Sequence, residues 1–276
     1  MFKEVFIPYR GFRYYSGDVS ILLGILAGAS SLLTDRDSLG IFRILNEYLR
    51  AVRGLAPYPV SNDGIIHHPE DFAHIPNTTL YKFISDHALD CMLKGTIRLG
   101  SIENYQTIEH PGSRDEIEGA CNLRIITASK SILTSVMSGF NYWIFCGTDN
   151  LENMEIKQKR FGTNIIKIKN VKSFAEEMKT ILGAKGYHLS KIKYSHYKVF
   201  RASHGAGLDC NSIPPSDEFI AYIHKHAMLP SLYIKPKIDF EVESELRLVF
   251  EMPYDVKGHK DIPVPEGFFQ THIEVL

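Results

Sequence analysis

The sequence is short of several things, and each shortage excludes a class of protein. Its four cysteines, Cys91, Cys121, Cys146 and Cys210, form no C-x-x-C pair, so they read as reduced thiols of a cytosolic protein rather than a disulfide framework or a zinc knuckle. The glycine-rich signatures G-x-G-x-x-G and G-x-x-x-x-G-K-[ST] are absent, as are H-E-x-x-H and G-x-S-x-G, which removes the usual support for dinucleotide-loop, P-loop, zincin and α/β-hydrolase chemistry. The stretch that comes nearest to a membrane segment, Val19 to Leu33, has only 15 residues, roughly 22 Å as a helix against about 30 Å of hydrocarbon. No secretory signal is evident in the opening residues. A chain of 276 residues with 44% hydrophobic and 23% charged residues is an ordinary folded protein, long enough to bury about three quarters of its unfolded surface.

Net charge is also lacking, at −1 overall, yet the sum hides an asymmetry. Lys157 to Arg201 holds 12 lysines and arginines against only Glu176 and Glu177. Because charges in physiological salt interact over roughly 8 Å, a local excess can attract phosphates even on a neutral protein. Lys157, Lys159, Arg160, Lys191 and Lys193 are therefore expected to face a nucleic acid, unless these lysines simply point to water. Twelve histidines show no spacing of a recurrent metal site, and no metal is expected.

Periodicity organises the chain. Leu39, Phe42, Leu45, Leu49 and Val52 recur at helical spacing, so residues 37–53 pair with the apolar 19–33 segment as an N-terminal helical hairpin, a surface for a protein partner. The expected organisation is a helical appendage over 1–60, a Pro-containing linker over 61–78 and an α+β domain over 79–276. In that domain short apolar runs predict strands at 80–84, 96–99, 123–127, 142–146, 164–168, 187–194, 219–223, 234–240, 243–250 and 272–276. Helices are expected over 86–93, capped by Asp86 and Gly95, and over 171–182. The fold class is thus α+β with a mixed, mainly antiparallel sheet. The sole tryptophan, Trp143, is expected in the core.

The most informative segment is Glu243-Ser-Glu245-Leu-Arg247-Leu-Val-Phe250. In a strand, Glu243, Glu245 and Arg247 share one face. On a cleft wall, one carboxylate could stabilise a developing positive charge while the other orients an acceptor, with Arg247 positioning both. Lys82, between Tyr81 and Phe83, either faces water or reaches a polar site, since an unpartnered buried lysine is costly. Glu109, Asp115 and Glu118 fall in a Gly/Pro-containing loop that reads as solvated.

The order Leu80-Tyr-Lys-Phe83, Gly95-Thr-Ile-Arg-Leu-Gly-Ser101, Asp115-x-x-Glu118-Gly119, Trp143-x-x-Cys146 and Glu243-x-Glu245-x-Arg247 resembles an uncharacterised bacterial family associated with phage-defence and toxin contexts. It also resembles divergent ADP-ribosyltransferases over roughly residues 79–251. That resemblance implies NAD as substrate, Tyr81, Lys82, Arg98, Ser101 and Tyr105 as residues that bind it, and Glu245 as the residue that holds the nicotinamide ribose while Glu243 serves the acceptor. Lys82 stands where that family carries His or Arg. Two other classes stay open: a non-catalytic module binding nucleic acid or a phage component, and a Mg²⁺-dependent nuclease built on Asp115, Glu118, Glu243 and Glu245.

Overall fold

The computed structural model describes residues 3–7, 12–16, 66–75, 78–107, 118–126, 131–195, 198–203, 229–236 and 240–276, with Glu218, Tyr222 and His226. The two helices expected before residue 60 and Asp115 of the acidic loop lie outside them. The chain folds as two compact units, each drawn from three stretches: Met1–Phe72, Gly119–Gly139 and Tyr194–Lys237 for the first, and Ala73–Glu118, Phe140–Lys193 and Ile238–Leu276 for the second. Residues 79–276 therefore contribute to both.

The strands in chain order are β1 (Lys3–Ile7), β2 (Phe12–Ser16), β3 (Ile66–His67), β4 (Leu80–Ile84), β5 (Thr96–Gly100), β6 (Ala120–Ile126), β7 (Ser131–Met137), β8 (Tyr142–Thr148), β9 (Asn164–Ile168), β10 (Gly186–Lys191), β11 (Lys193–Tyr194), β12 (Val199–Ser203), β13 (Ile234–Lys235), β14 (Glu245–Glu251), β15 (His259–Pro263) and β16 (Ile273–Val275). The helices are α1 (Asp86–Leu93), α2 (Ile102–Thr107), α3 (Met154–Phe161), α4 (Val171–Leu182), α5 (Leu229–Ser231) and α6 (Phe268–His272).

The first unit carries a six-stranded sheet in the order β1-β2-β7-β6-β12-β3. Its neighbours run antiparallel as far as β6, and β12 lies parallel to both β6 and β3. Leu123, Ile125, Val199 and Phe200 are buried in it, and Phe72 meets Phe200 edge to face at 5.7 Å.

The second unit holds the residues of interest. Its sheet runs β10-β14-β8-β4-β9-β16, with β5 joining β8 and β15 joining β5, and every one of these pairings is antiparallel. The architecture is α+β with mainly antiparallel sheets. Helix α4 packs against the sheet because Val171, Phe174, Ala175 and Met178 fall on one stripe and are buried. Asn170 caps its start through the Ser173 amide, and Gly183, at φ 64°, ends it in the left-handed conformation. Phe174 then stacks against Phe145 and Phe268. Trp143 joins the same core, 5% exposed.

Three expectations shift. The cap of α1 is Ser85, whose hydroxyl accepts from the Ala88 amide, rather than Asp86; the short hydroxyl reaches that amide from extended backbone one residue earlier. Tyr222, inside the strand expected over 219–223, is helical. The strand expected from residue 243 begins only at Glu245, because Glu241–Glu243 form a 3-10 turn and Ser244 takes a left-handed conformation at φ 46°.

Candidate functional site

The break at Ser244 decides which charges meet. With Glu243 removed from the strand, Glu245 and Arg247 are the two motif charges left on one face of β14, two residues apart. Arg247 is fully buried and lies in register with Cys146 of β8 and Ser190 of β10. Its Nε donates to Glu245 Oε1 at 2.8 Å and its Nη1 donates to Glu118 Oε1 at 2.8 Å. Burial works against the guanidinium charge, but the two carboxylates outweigh it and push the Arg247 pKa well above its ordinary value. Glu118, 0% exposed, is steadied by Gln106 of α2, whose side-chain amide donates to the Glu118 carbonyl at 2.7 Å.

Two further groups close on this triad. Tyr105 of α2 lays its ring 5.7 Å from the guanidinium carbon of Arg247, and its hydroxyl accepts from the Cys146 thiol at 3.2 Å. Burial, then the nearby thiol, raises the Tyr105 pKa well above the ordinary phenol, and Glu245 adds to the rise. Lys82 of β4 donates from Nζ to the Cys146 carbonyl at 2.7 Å and sits 4.6 Å from the Phe145 ring centroid. Burial lowers the Lys82 pKa, while Cys146 and Glu245 pull it back up. Lys82, Tyr105, Cys146, Glu118, Glu245 and Arg247 thus share one electrostatic environment inside the second unit.

Two glycines permit that approach. A Cβ on Gly147 would meet the Tyr81 carbonyl oxygen at 2.4 Å and a Leu80 methyl at 2.6 Å, so β4 can lie against β8 only with glycine there. A Cβ on Gly100 would meet the Tyr105 ring at 3.0 Å.

A second polar cluster anchors the start of β14. Lys157 of α3, 1% exposed, donates to Thr148 Oγ1 at 3.0 Å and to the backbone and side-chain oxygens of Asn150, each at 3.1 Å. Thr148 in turn donates to the Ser244 carbonyl at 3.0 Å. Glu243 accepts from Arg160 at 3.2 Å.

The remaining expected residues are placed elsewhere. Arg98 forms an exposed fork on Asp261 across β5 and β15, at 2.7 and 2.8 Å. Ser101 accepts from the Asn104 amide and so caps α2. Tyr81 is half-buried on β4, beside the cluster in sequence but with its side chain alternating away from that of Lys82. Of the residues expected to face nucleic acid, Lys157 is interior, Arg160 is tied to Glu243 and Lys191 to Asp149, while Lys159 is exposed and Lys193 half-buried.

From sequence Glu118 reads only as a loop acid or a Mg²⁺ ligand, and Cys146 has no assigned role. The loop around Glu118 looks solvated by composition, and only the pairing with Arg247 brings it inside. Among the described residues no three of His, Cys, Asp and Glu gather as metal ligands, and no helix is long and apolar enough to cross a membrane. Glu118 and Glu245 bond to Arg247 and Glu243 to Arg160, so these three carboxylates are engaged by guanidinium groups. No protein-family model, curated protein or solved structure matches the chain.

Proposed function

We propose that the second unit carries an ADP-ribosyltransferase-like centre that takes NAD as substrate and modifies a macromolecule, with Glu245 as its acidic residue, in the phage-defence or toxin setting that the motif order suggests. The observation that carries the reading is Arg247, which bonds the late-strand carboxylate Glu245 at 2.8 Å, lies 5.7 Å from the Tyr105 ring and stands in register with Cys146, whose carbonyl accepts from Lys82 at 2.7 Å. The residues offer NAD suitable chemistry: the Lys82 ammonium for a phosphate, the Tyr105 ring for nicotinamide and the Glu245 carboxylate for ribose hydroxyls. NAD supplies a glycosidic bond whose electron pair leaves with nicotinamide, while the acceptor bonds to the ribose carbon and gives its proton to a base. The part of the protein is then electrostatic. A carboxylate beside the ribose stabilises the developing positive charge, and Arg247 orients Glu245 through the bond from Nε at 2.8 Å. Arg98 and Ser101 drop out of the proposed NAD-binding set, being committed to Asp261 and to the α2 cap.

The test is nicotinamide release from NAD, with RNA, DNA or lysate protein offered as acceptor, by wild type and Glu245→Gln. The proposal expects turnover by the wild type and at least a hundredfold loss in the variant; absence of turnover by the wild type, or equal rates, removes it. A second reading has its own observation: Arg247 and Glu118 are 0% exposed and Glu245 5%, the burial of a network that specifies the fold rather than one that meets a substrate. That reading expects Glu245→Gln to change stability and to leave any turnover intact.

A further inference from the structure

Among the described residues, strand β10 is the terminal strand of its sheet on the path through β14, so one row of its backbone groups faces no described strand. Such edges are templates for unwanted pairing and are normally covered. At Leu189, whose side chain is buried, the cover is the segment 73–75 just before β4. The Ile75 amide donates to the Leu189 carbonyl at 2.8 Å. The Leu189 amide donates to Nδ1 of the His74 ring at 3.1 Å. An imidazole nitrogen therefore does what the carbonyl of a neighbouring strand would do.

That bond fixes the protonation state. Nδ1 accepts only in the neutral ring with its proton on Nε2. Protonation puts an N–H on Nδ1, aimed at the Leu189 N–H, and converts an attraction into a repulsion. The titratable groups around the ring are Tyr187 and His188 of β10, with ring centroids at 5.7 and 5.3 Å, and, behind Tyr187, Glu176 of α4, whose charge adds to burial in raising the Tyr187 pKa. Among the described residues no carboxylate bonds the His74 ring to hold a proton on it.

We propose that His74 is an acid-released pin: neutral, it closes the free edge of the second unit's sheet at Leu189, and protonated, it lets that edge open. The device stands on the hydrogen-bond geometry and is independent of the proposed enzyme activity. Although His74 is exposed as a residue, partial desolvation of its ring lowers its pKa below the ordinary histidine value. A depressed histidine contributes stability that is present above about pH 6.5 and is lost as pH falls through the folded-state value. His188, pushed down to about 4 by burial and by His74, stays neutral over most of that window.

The test is hydrogen exchange at the Leu189 amide at pH 7.5 and 5.0, expressed as protection after correction for the intrinsic pH dependence of exchange. Wild type is expected to lose protection by about fivefold on acidification, the worth of one net hydrogen bond. His74→Asn, which keeps a carbonyl acceptor near the Nδ1 position, should hold its protection at both pH values, and His74→Ala should be weakly protected at both. No fall in the wild type, or the same fall in His74→Asn, overturns the proposal. Loss of the effect in His188→Gln would move the proton to the wrong ring and overturn it as well.

Discussion

Two arginines of the second unit make nearly the same bonds in opposite surroundings. Arg98 grips Asp261 at 2.7 and 2.8 Å with both side chains about half exposed. Arg247 joins Glu118 and Glu245 at 2.8 Å with all three sealed inside. Distance alone would rank them together. Solvent separates them: water screens the outer pair and already solvates both partners when they part, whereas the inner charges were stripped of water on folding and depend on one another. An isolated surface fork is a modest ornament; three charges drawn into a sheet core demand a reason, either specificity of folding or chemistry.

The comparison can be broken at its strongest point first. Arg247→Leu leaves two buried carboxylates without their cation and should lower unfolding free energy by about 3–5 kcal/mol, read from urea denaturation. Glu118→Gln keeps the shape and removes one charge, for an expected loss of about 1–3 kcal/mol by the same measurement. A cost below about 1 kcal/mol for either substitution would mean that the interior cluster behaves like the surface pair.

Lys82 sharpens the contrast through pH. Its folded-state pKa is lowered by burial, so between that value and about 10.4 the unfolded chain holds more protons and stability rises with pH. Wild type should therefore gain on Lys82→Met as pH is raised from 8 to 10; parallel pH curves for the two proteins would contradict the assigned environment.

The smallest effect belongs to the exposed fork. Arg98→Ala should cost under about 1 kcal/mol after allowance for screening, and less still at high salt. Hydrogen bonding to Arg98 holds the Asp261 pKa below its ordinary value, so what the pair contributes is present above about pH 3.9 and fades as pH falls through the folded-state value. Thermal melts at pH 6 and pH 3 should find wild type and Arg98→Ala converging at the lower pH.

The fold was legible in the sequence where local pattern and burial agree. Leu80–Ile84, Asn164–Ile168 and Val171–Leu182 stand where alternation or the 3.6-residue period puts them. The later strand was legible only from Glu245 onward, since nothing in Glu-Ser-Glu announces a left-handed serine, and that one residue turns Glu243 toward Arg160. Lys82, Tyr105, Glu245 and Arg247 were named from sequence and do come together. Glu118 could not be paired in advance: it lies 129 residues from Arg247, a separation over which no periodicity carries information. Lys157 misled because a basic stretch cannot reveal which of its members is enclosed by Thr148 and Asn150.

The most direct measurement is made on a protein that lacks the charged triad and keeps its volume, Glu118→Leu/Arg247→Met/Glu245→Leu, with nicotinamide release and urea denaturation recorded on the same sample as on wild type. Well-packed apolar replacement of buried ion pairs is often neutral or stabilising, so the account predicts a folded variant that releases no nicotinamide beside a wild type that does. A folded triple variant that turns NAD over at the wild-type rate, or a wild type that releases none, would contradict it.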